Sequence, residues 1–196
     1  MGKLYFKYGV LGSSKTANLL MCKFNYEQQG FKVLLLKSCL DTRNIKDNQI
    51  IVHSRIGLES PCTIFFKNDN LIELFNTLNK ENNFDIIMVD ECQFATEKQI
   101  EELKTLSQIH NVMCYGLLTD FRTKLFEGSK RLVEVADSLQ ELKSVCSCGK
   151  KASVNAKFLN GIFNTEGDTI AIENQNNVTY KTMCYSCYQK LKNKNN

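Results

Sequence analysis

The chain has 196 residues, 43% of them hydrophobic and 23% charged, with a formal net charge of +4. These values suit one globular domain, or one with a small appendage, and the charge is too mild to argue for a nucleic-acid polymer as partner. No apolar run reaches the roughly 18 residues of a membrane span, and the first residues lack the apolar core and cleavage site of a secretory signal. Nine cysteines, an odd number, then fit a reducing, cytoplasmic setting, where thiols serve as metal ligands, catalysts or small core residues and not as disulfides.

Leu4 to Tyr8 reads as a buried first strand. It runs into Gly9-Val10-Leu11-Gly12-Ser13-Ser14-Lys15-Thr16, which matches the phosphate-binding pattern G-x-x-x-x-G-K-[ST] at Gly9, Lys15 and Thr16. It departs from that pattern at Ser14, where the second glycine would stand. In such a loop, backbone N–H groups and the positive end of the following helix surround a polyphosphate. Lys15 would reach the terminal phosphates and the Thr16 hydroxyl would help to hold magnesium. The alternative is an ordinary strand–turn–helix. A helical pattern with Leu19, Leu20 and Phe24 follows and stops at Gly30, and Phe31 to Leu36 is apolar enough for a central parallel strand. The order makes a βαβ unit with its ligand site at the carboxyl ends of the strands.

From Ser38 to Pro61 periodicity is lost, as expected of a lid or binding loop. Asp41 and Arg43 follow the second strand directly and either face the phosphate site or belong to a solvated turn. His53 is expected on a surface loop. Thr63 to Phe66 suits a short strand, and Leu71, Leu74, Phe75 and Leu78 form the stripe of an amphipathic helix. Phe84 to Asp90 is the clearest strand. Its terminal Asp90-Glu91 sits where nucleotide-hydrolysing and phosphoryl-transfer folds keep a magnesium partner. Glu91 would orient a water in an ATPase, or take a proton from a hydroxyl in a kinase. A helix over Thr96 to Gln108 and a strand over Asn111 to Leu117 continue the β–α alternation, which gives an α/β fold with a mostly parallel sheet flanked by helices. Phe121 and Phe126 then offer either a slot for a ring or extra core. Leu132 to Ala136 reads as helix, and Leu139 to Val145 as a last strand.

The tail differs in kind. Cys146-Ser147-Cys148 and Cys184-Tyr185-Ser186-Cys187 are two close pairs able to surround Zn²⁺ tetrahedrally, with no position left open for chemistry. Between them, Ser153 to Phe158 and Thr169 to Ile172 suit a hairpin excursion. The expected division is residues 1–143 as an ATP-binding α/β domain and 144–196 as a small zinc-binding domain. Cys22, Cys39, Cys62, Cys92 and Cys114 have no partner at ligand spacing and are taken as small, partly buried residues.

Taken together, Cys114-Tyr115-Gly116-Leu117 with Thr119-Asp120-Phe121-Arg122, Asp90-Glu91-Cys92-Gln93-Phe94, Ser54-Arg55-Ile56-Gly57, Asp41-Thr42-Arg43 and the cysteine pairs resemble the type II thymidine kinases almost end to end. The resemblance implies a RecA-like core and transfer of the γ-phosphoryl of ATP to the 5′-hydroxyl of thymidine. It implies that Gly9 to Thr16, Asp41, Arg43 and Asp90 to Gln93 (including Cys92) hold the triphosphate and Mg²⁺. Glu91 would be the proton acceptor, with Lys15 and Arg43 as catalytic cations. The thymine pocket would comprise Leu11, Phe94, Leu117, Phe121 and Phe126. A lasso at Ile170, Ala171, Ile172, Glu173 and Asn174, together with Tyr180, would read the base through main-chain groups. A homotetramer and feedback inhibition by thymidine triphosphate (dTTP) are further expectations of the family. The residue pattern alone also admits a zinc-stabilised ATP-binding module, or a P-loop ATPase without nucleoside kinase activity.

Overall fold

The computed structural model describes residues 1–39, 45–46, 49–167 and 177–194. The first half of the chain runs β1 (Leu4–Tyr8), α1 (Lys15–Gln28), β2 (Val33–Ser38), β3 (Ile45–Lys46), β4 (Gln49–His53), β5 (Glu59–Pro61), β6 (Thr63–Phe65), α2 (Leu71–Asn82) and β7 (Ile86–Asp90). A single 3₁₀ turn (Cys92–Phe94) leads to α3 (Glu97–Leu106), β8 (Asn111–Gly116), α4 (Glu127–Val135) and β9 (Ser138–Glu141). The tail holds β10 (Ser144–Val145), β11 (Lys151–Ala152), β12 (Val154–Leu159), β13 (Ile162–Asn164), β14 (Val178–Met183) and α5 (Tyr185–Lys194).

Six strands form one sheet in the order β6-β2-β7-β8-β1-β9, every pairing parallel. Its central strands are buried on both faces, which is why residues 33–36 of β2 and 86–89 of β7 read as unbroken apolar runs. The strand period of two divides them. Leu34, Leu36, Ile87 and Val89 join Ile100, Leu103 and Leu132 in one core beneath α3 and α4. Val33, Leu35, Ile86 and Met88 join Leu19 and Leu20 of α1 in the other. The α/β expectation from the sequence is met. Asn70 caps α2, accepting from the N–H groups of Ile72 and Glu73, and Thr96 with Gln99 forms a capping box on α3.

Four local expectations need correction. Leu139 to Val145 is not one strand: β9 ends at Glu141, Leu142 N–H donates to the Tyr8 carbonyl, and Ser144–Val145 turns away to pair with β11. The turn after β10, closed by Cys146 N–H to Lys150 O and Gly149 N–H to Cys146 O, sets the first cysteine pair off the sheet. Phe24 is not on the core stripe but 59% exposed, because the buried residues of α1 are Lys15, Ala17, Leu19 and Leu20. The stretch read as loop holds the antiparallel strands β3, β4 and β5 outside the main sheet, and β5, exposed or half-buried throughout, carries no apolar alternation. Finally β13 was not foreseen, although Asn160-Gly161, both at positive φ between β12 and β13, is a hairpin-turn signature. Thr169 to Ile172 lies outside the described residues.

Candidate active site

The carboxyl ends of β1, β2 and β7 converge on a cleft of about 400 Å³, walled on one side by the phosphate loop and on the other by His53 to Ile56. Gly9 is required by packing, since a Cβ there would stand 2.4 Å from the Leu142 carbonyl oxygen. Gly12 (φ 72) and Ser14 (φ 59) both take the left-handed region, so the missing glycine of the motif falls where a side chain costs about 1 kcal/mol. Ser14 makes no side-chain bond to the start of α1. The first N–H groups of that helix have no intrahelical partner, which is the arrangement that receives an anion. Within the loop the Ser13 hydroxyl oxygen is buried and finds no partner among the described residues. Lys15 is buried, its Nζ donating to the Val10 carbonyl at 2.8 Å. Burial pulls the Lys15 ammonium below its ordinary pKa, against the pull of Glu91 and Asp90.

Asp90 ends β7, and Thr16 Oγ1 donates to its Oδ2 at 3.3 Å across the cleft. Burial and the adjacent Glu91 carboxylate push Asp90 up to about 7, opposed by the Lys37 ammonium. Lys37 was not foreseen. It is buried on β2 in register with Asp90, so the two side chains leave the same face side by side. A lysine inside an otherwise apolar strand run was the available signal. Glu91 is half-buried at φ 53, ψ 38, a conformation non-glycine residues take at a cost, and it thereby turns out of the strand into the cleft. Gln93 Nε2 donates to Glu91 Oε2 at 2.5 Å, while Gln93 Oε1 accepts from the Leu117 N–H at 3.0 Å. One buried amide therefore ties the Glu91 carboxylate to the end of β8. Gly116 is required beside it, because a Cβ would stand 2.6 Å from Gln93 Oε1 and 2.7 Å from Cys92 Sγ. Cys92 is a fully buried core residue.

The rings expected around a base lie in two separate groups, and neither lines the phosphate cleft. Phe94 and Phe126 meet edge to face at 5.8 Å, and Leu117 follows β8 directly. Phe121 is 2% exposed; Lys157 Nζ lies 4.5 Å from its ring and Tyr188 Oη donates to its carbonyl at 3.0 Å. Asp120 holds this turn by accepting from the N–H groups of Arg122 and Lys124, both at 2.9 Å. Tyr180 stands opposite Lys157 in the β12–β14 ladder. Leu11 sits at the cleft, and its N–H donates to Asn155 Oδ1 at 2.8 Å. Asn155, a buried polar residue on β12, has no signal in the sequence, yet with Val10, which packs into the core of the tail, it joins the phosphate loop to the cysteine-bearing unit. Asp41, Arg43 and Ile170 to Asn174 lie outside the described residues.

Cys146, Cys148, Cys184 and Cys187 gather with their sulfurs all within 4.8 Å of one another, and Cys148 and Cys184 are 3.6 Å apart. Tetrahedral Zn–S bonds of ~2.3 Å put sulfurs about 3.8 Å apart, so the four fit a structural zinc. Backbone N–H groups of Cys148 and Cys184 draw the Cys146 thiol down to about 6, while hydrogen bonds that the Cys187 thiol donates to the other sulfurs, Cys184 first, hold Cys187 up to about 12. Four crowded thiols cannot all ionise without a cation among them. Of the remaining cysteines, Cys114 is buried like Cys92, and Cys22, Cys39 and Cys62 are half-buried, as expected.

A cleft with a phosphate loop, two lysines and a carboxylate pair at a strand end is equipped to hold a polyphosphate and transfer a phosphoryl group. The thymidine kinase family model matches residues 2–188. A thymidine kinase of Zymomonas mobilis is 43% identical over 159 residues, 80% of this chain and 81% of that protein. One of Shewanella oneidensis is 37% identical over 194 residues, covering 97% and 98% of the two chains. The thymidine kinase of Enterobacteria phage T4 is 37% identical over 197 residues, 99% of each. The chain belongs to the thymidine kinase family.

Proposed function

We propose that the chain transfers the γ-phosphoryl of ATP to the 5′-hydroxyl of thymidine, giving dTMP for nucleotide salvage. The observation that carries this reading within the molecule is the Glu91–Gln93–Leu117 bridge. It fixes a carboxylate in the phosphate cleft from the same end of β8 that leads to Phe121 and Phe126. A device joining a phosphate site to a ring site is what a kinase needs and a hydrolase does not.

In this reading Gly9 to Thr16 wraps the triphosphate, with the buried Ser13 hydroxyl as one donor and Lys15 swinging from the Val10 carbonyl to the terminal phosphates. Asp41 and Arg43 complete the phosphate site. Thr16 and Asp90 are the residues that would hold Mg²⁺, which would supply charge neutralisation to the phosphates when bound. Glu91 accepts the 5′-hydroxyl proton as the oxygen attacks, a contribution of roughly 10²–10⁴ in rate. Leu11, Phe94, Leu117, Phe121 and Phe126 enclose the thymine, and Ile170 to Asn174 with Tyr180 cover it, anchored by the four-cysteine zinc site. The division into residues 1–143 and 144–196 separates the phosphate machinery from this cover.

A cytoplasmic homotetramer inhibited by dTTP belongs to the same proposal. No described helix is long and apolar enough to cross a membrane. The exposed Met21 and Phe24 on α1, with Leu58 across a shallow groove, offer an apolar face to a second copy. Incubating the protein with ATP, Mg²⁺ and thymidine and measuring dTMP by mass spectrometry tests the activity. ATP binding without dTMP would leave a nucleotide-binding module in its place, and hydrolysis indifferent to thymidine an ATPase.

A further inference from the structure

The Ser54-Arg55-Ile56-Gly57 turn has a more definite architecture than a surface loop needs. Ser54, 2% exposed, closes it with its N–H donating to the Leu58 carbonyl at 2.8 Å and its hydroxyl accepting from the Leu58 N–H at 3.0 Å. Gly57, at φ 87, supplies the left-handed corner, and its N–H donates to the Ser54 carbonyl at 3.0 Å. The turn caps the β4–β5 hairpin, outside the main sheet, and forms the wall of the phosphate cleft opposite the loop. Arg55 lines that cleft together with Lys15, Thr16, Asp90 and Glu91.

Charge makes the placement informative. The Arg55 guanidinium is near enough to act on the Lys15 ammonium, and Lys37 adds a third cation to the same cleft. Asp90 and Glu91 line the same cleft and offset part of this charge, and a bound polyphosphate would draw on the cations of both walls. Lys15 and Lys37 rise from the floor and are buried, whereas Arg55 is exposed and enters from the far wall. It therefore stands on the outer side of a cleft that Glu91 also lines.

We propose that Arg55 is a catalytic residue that contacts the γ-phosphoryl group during transfer, supplied in cis by the rigid 54–58 turn. The inference rests on the kinase reading above. In the step it serves, the bond from the γ-phosphorus to the β,γ-bridging oxygen breaks and its electron pair stays on ADP. The 5′-oxygen bonds to the phosphorus, and its proton passes to the Glu91 carboxylate. Charge spreads over the equatorial oxygens of the moving group, where a planar guanidinium donates two parallel hydrogen bonds. Such a contact is worth most in the transition state, so it acts on turnover and not on ATP binding.

The test is steady-state kinetics of Arg55→Ala and Arg55→Lys with ATP, Mg²⁺ and thymidine. Turnover falls at least about 100-fold in both, a floor set below the roughly 10³–10⁵ of arginine contacts of this kind, while the KM for ATP stays within about threefold. Wild type forms a stable complex with ADP, aluminium fluoride and thymidine, and neither variant does. Guanidinium chloride at millimolar concentration restores part of the Arg55→Ala turnover. Turnover within threefold of wild type, or a raised KM for ATP at unchanged turnover, overturns the assignment. Because Arg55 is exposed, melting temperature and zinc content should match wild type, and a variant that misfolds leaves Arg55→Lys to give the reading. Absence of dTMP from the wild-type chain overturns the kinase reading and this inference with it, whereas active wild type with unaffected variants overturns the inference alone.

Discussion

Replacing Gln93 by Met removes both hydrogen bonds of the bridge while nearly preserving its volume. Gln93 is 2% exposed, so the loss is not made good by water. The Leu117 N–H, now bonded at 3.0 Å, is left without its acceptor, at a cost of about 1–2 kcal/mol. The bond to the Glu91 carboxylate, which keeps some access to solvent, contributes about 1.5 kcal/mol more. A destabilisation of about 3 kcal/mol lowers the melting temperature of a chain this size by roughly 6–12 °C. The functional consequence is distinct. Freed from its amide, Glu91 samples orientations away from the 5′-hydroxyl, and turnover falls by about 10- to 100-fold. The KM for thymidine rises because the end of β8 loosens. Thermal unfolding followed by circular dichroism and initial rates of dTMP formation measure the two effects. A variant melting within 2 °C of wild type and turning over within twofold of it would refute the reasoning.

Three other outcomes are expected. Glu91→Gln lowers turnover by about 10²–10⁴ with ATP affinity, measured by titration calorimetry, little changed; equal loss of both would reject its role as the proton acceptor. Asp137 accepts from Lys104 Nζ and from the Leu4 N–H, each at 2.7 Å, and these bonds hold its carboxyl below its ordinary 3.8. Its contribution is therefore complete above that value and is lost as the pH falls through the depressed one, so Asp137→Asn should flatten the acid limb of melting temperature against pH. Mass spectrometry of metals should find about one zinc per chain, lost in Cys146→Ser. Because Val10 packs into the same core as Cys146 and Cys184, removing the metal should also weaken ATP binding. Unchanged ATP affinity in the zinc-free protein would break that link.

Much of this architecture is local and therefore legible in the chain. The unbroken apolar runs of β2 and β7, the stripe of α2, the Lys15-Thr16 and Asp90-Glu91 pairs and the spacing of the cysteines each state their structure through short-range chemistry. The tertiary structure decided what depends on distant segments meeting. Only the β2–β7 register sets Lys37 beside Asp90, and only the packing of β12 on the phosphate loop brings Asn155 to Leu11. Gln93 reaches Leu117, 24 positions on, because β7 and β8 are neighbours. Arg55 lines the cleft because a hairpin outside the sheet sets its turn as the wall facing the phosphate loop. Periodicity records which face of an element is buried; which charges share a cleft is set by how strands far apart in sequence pair.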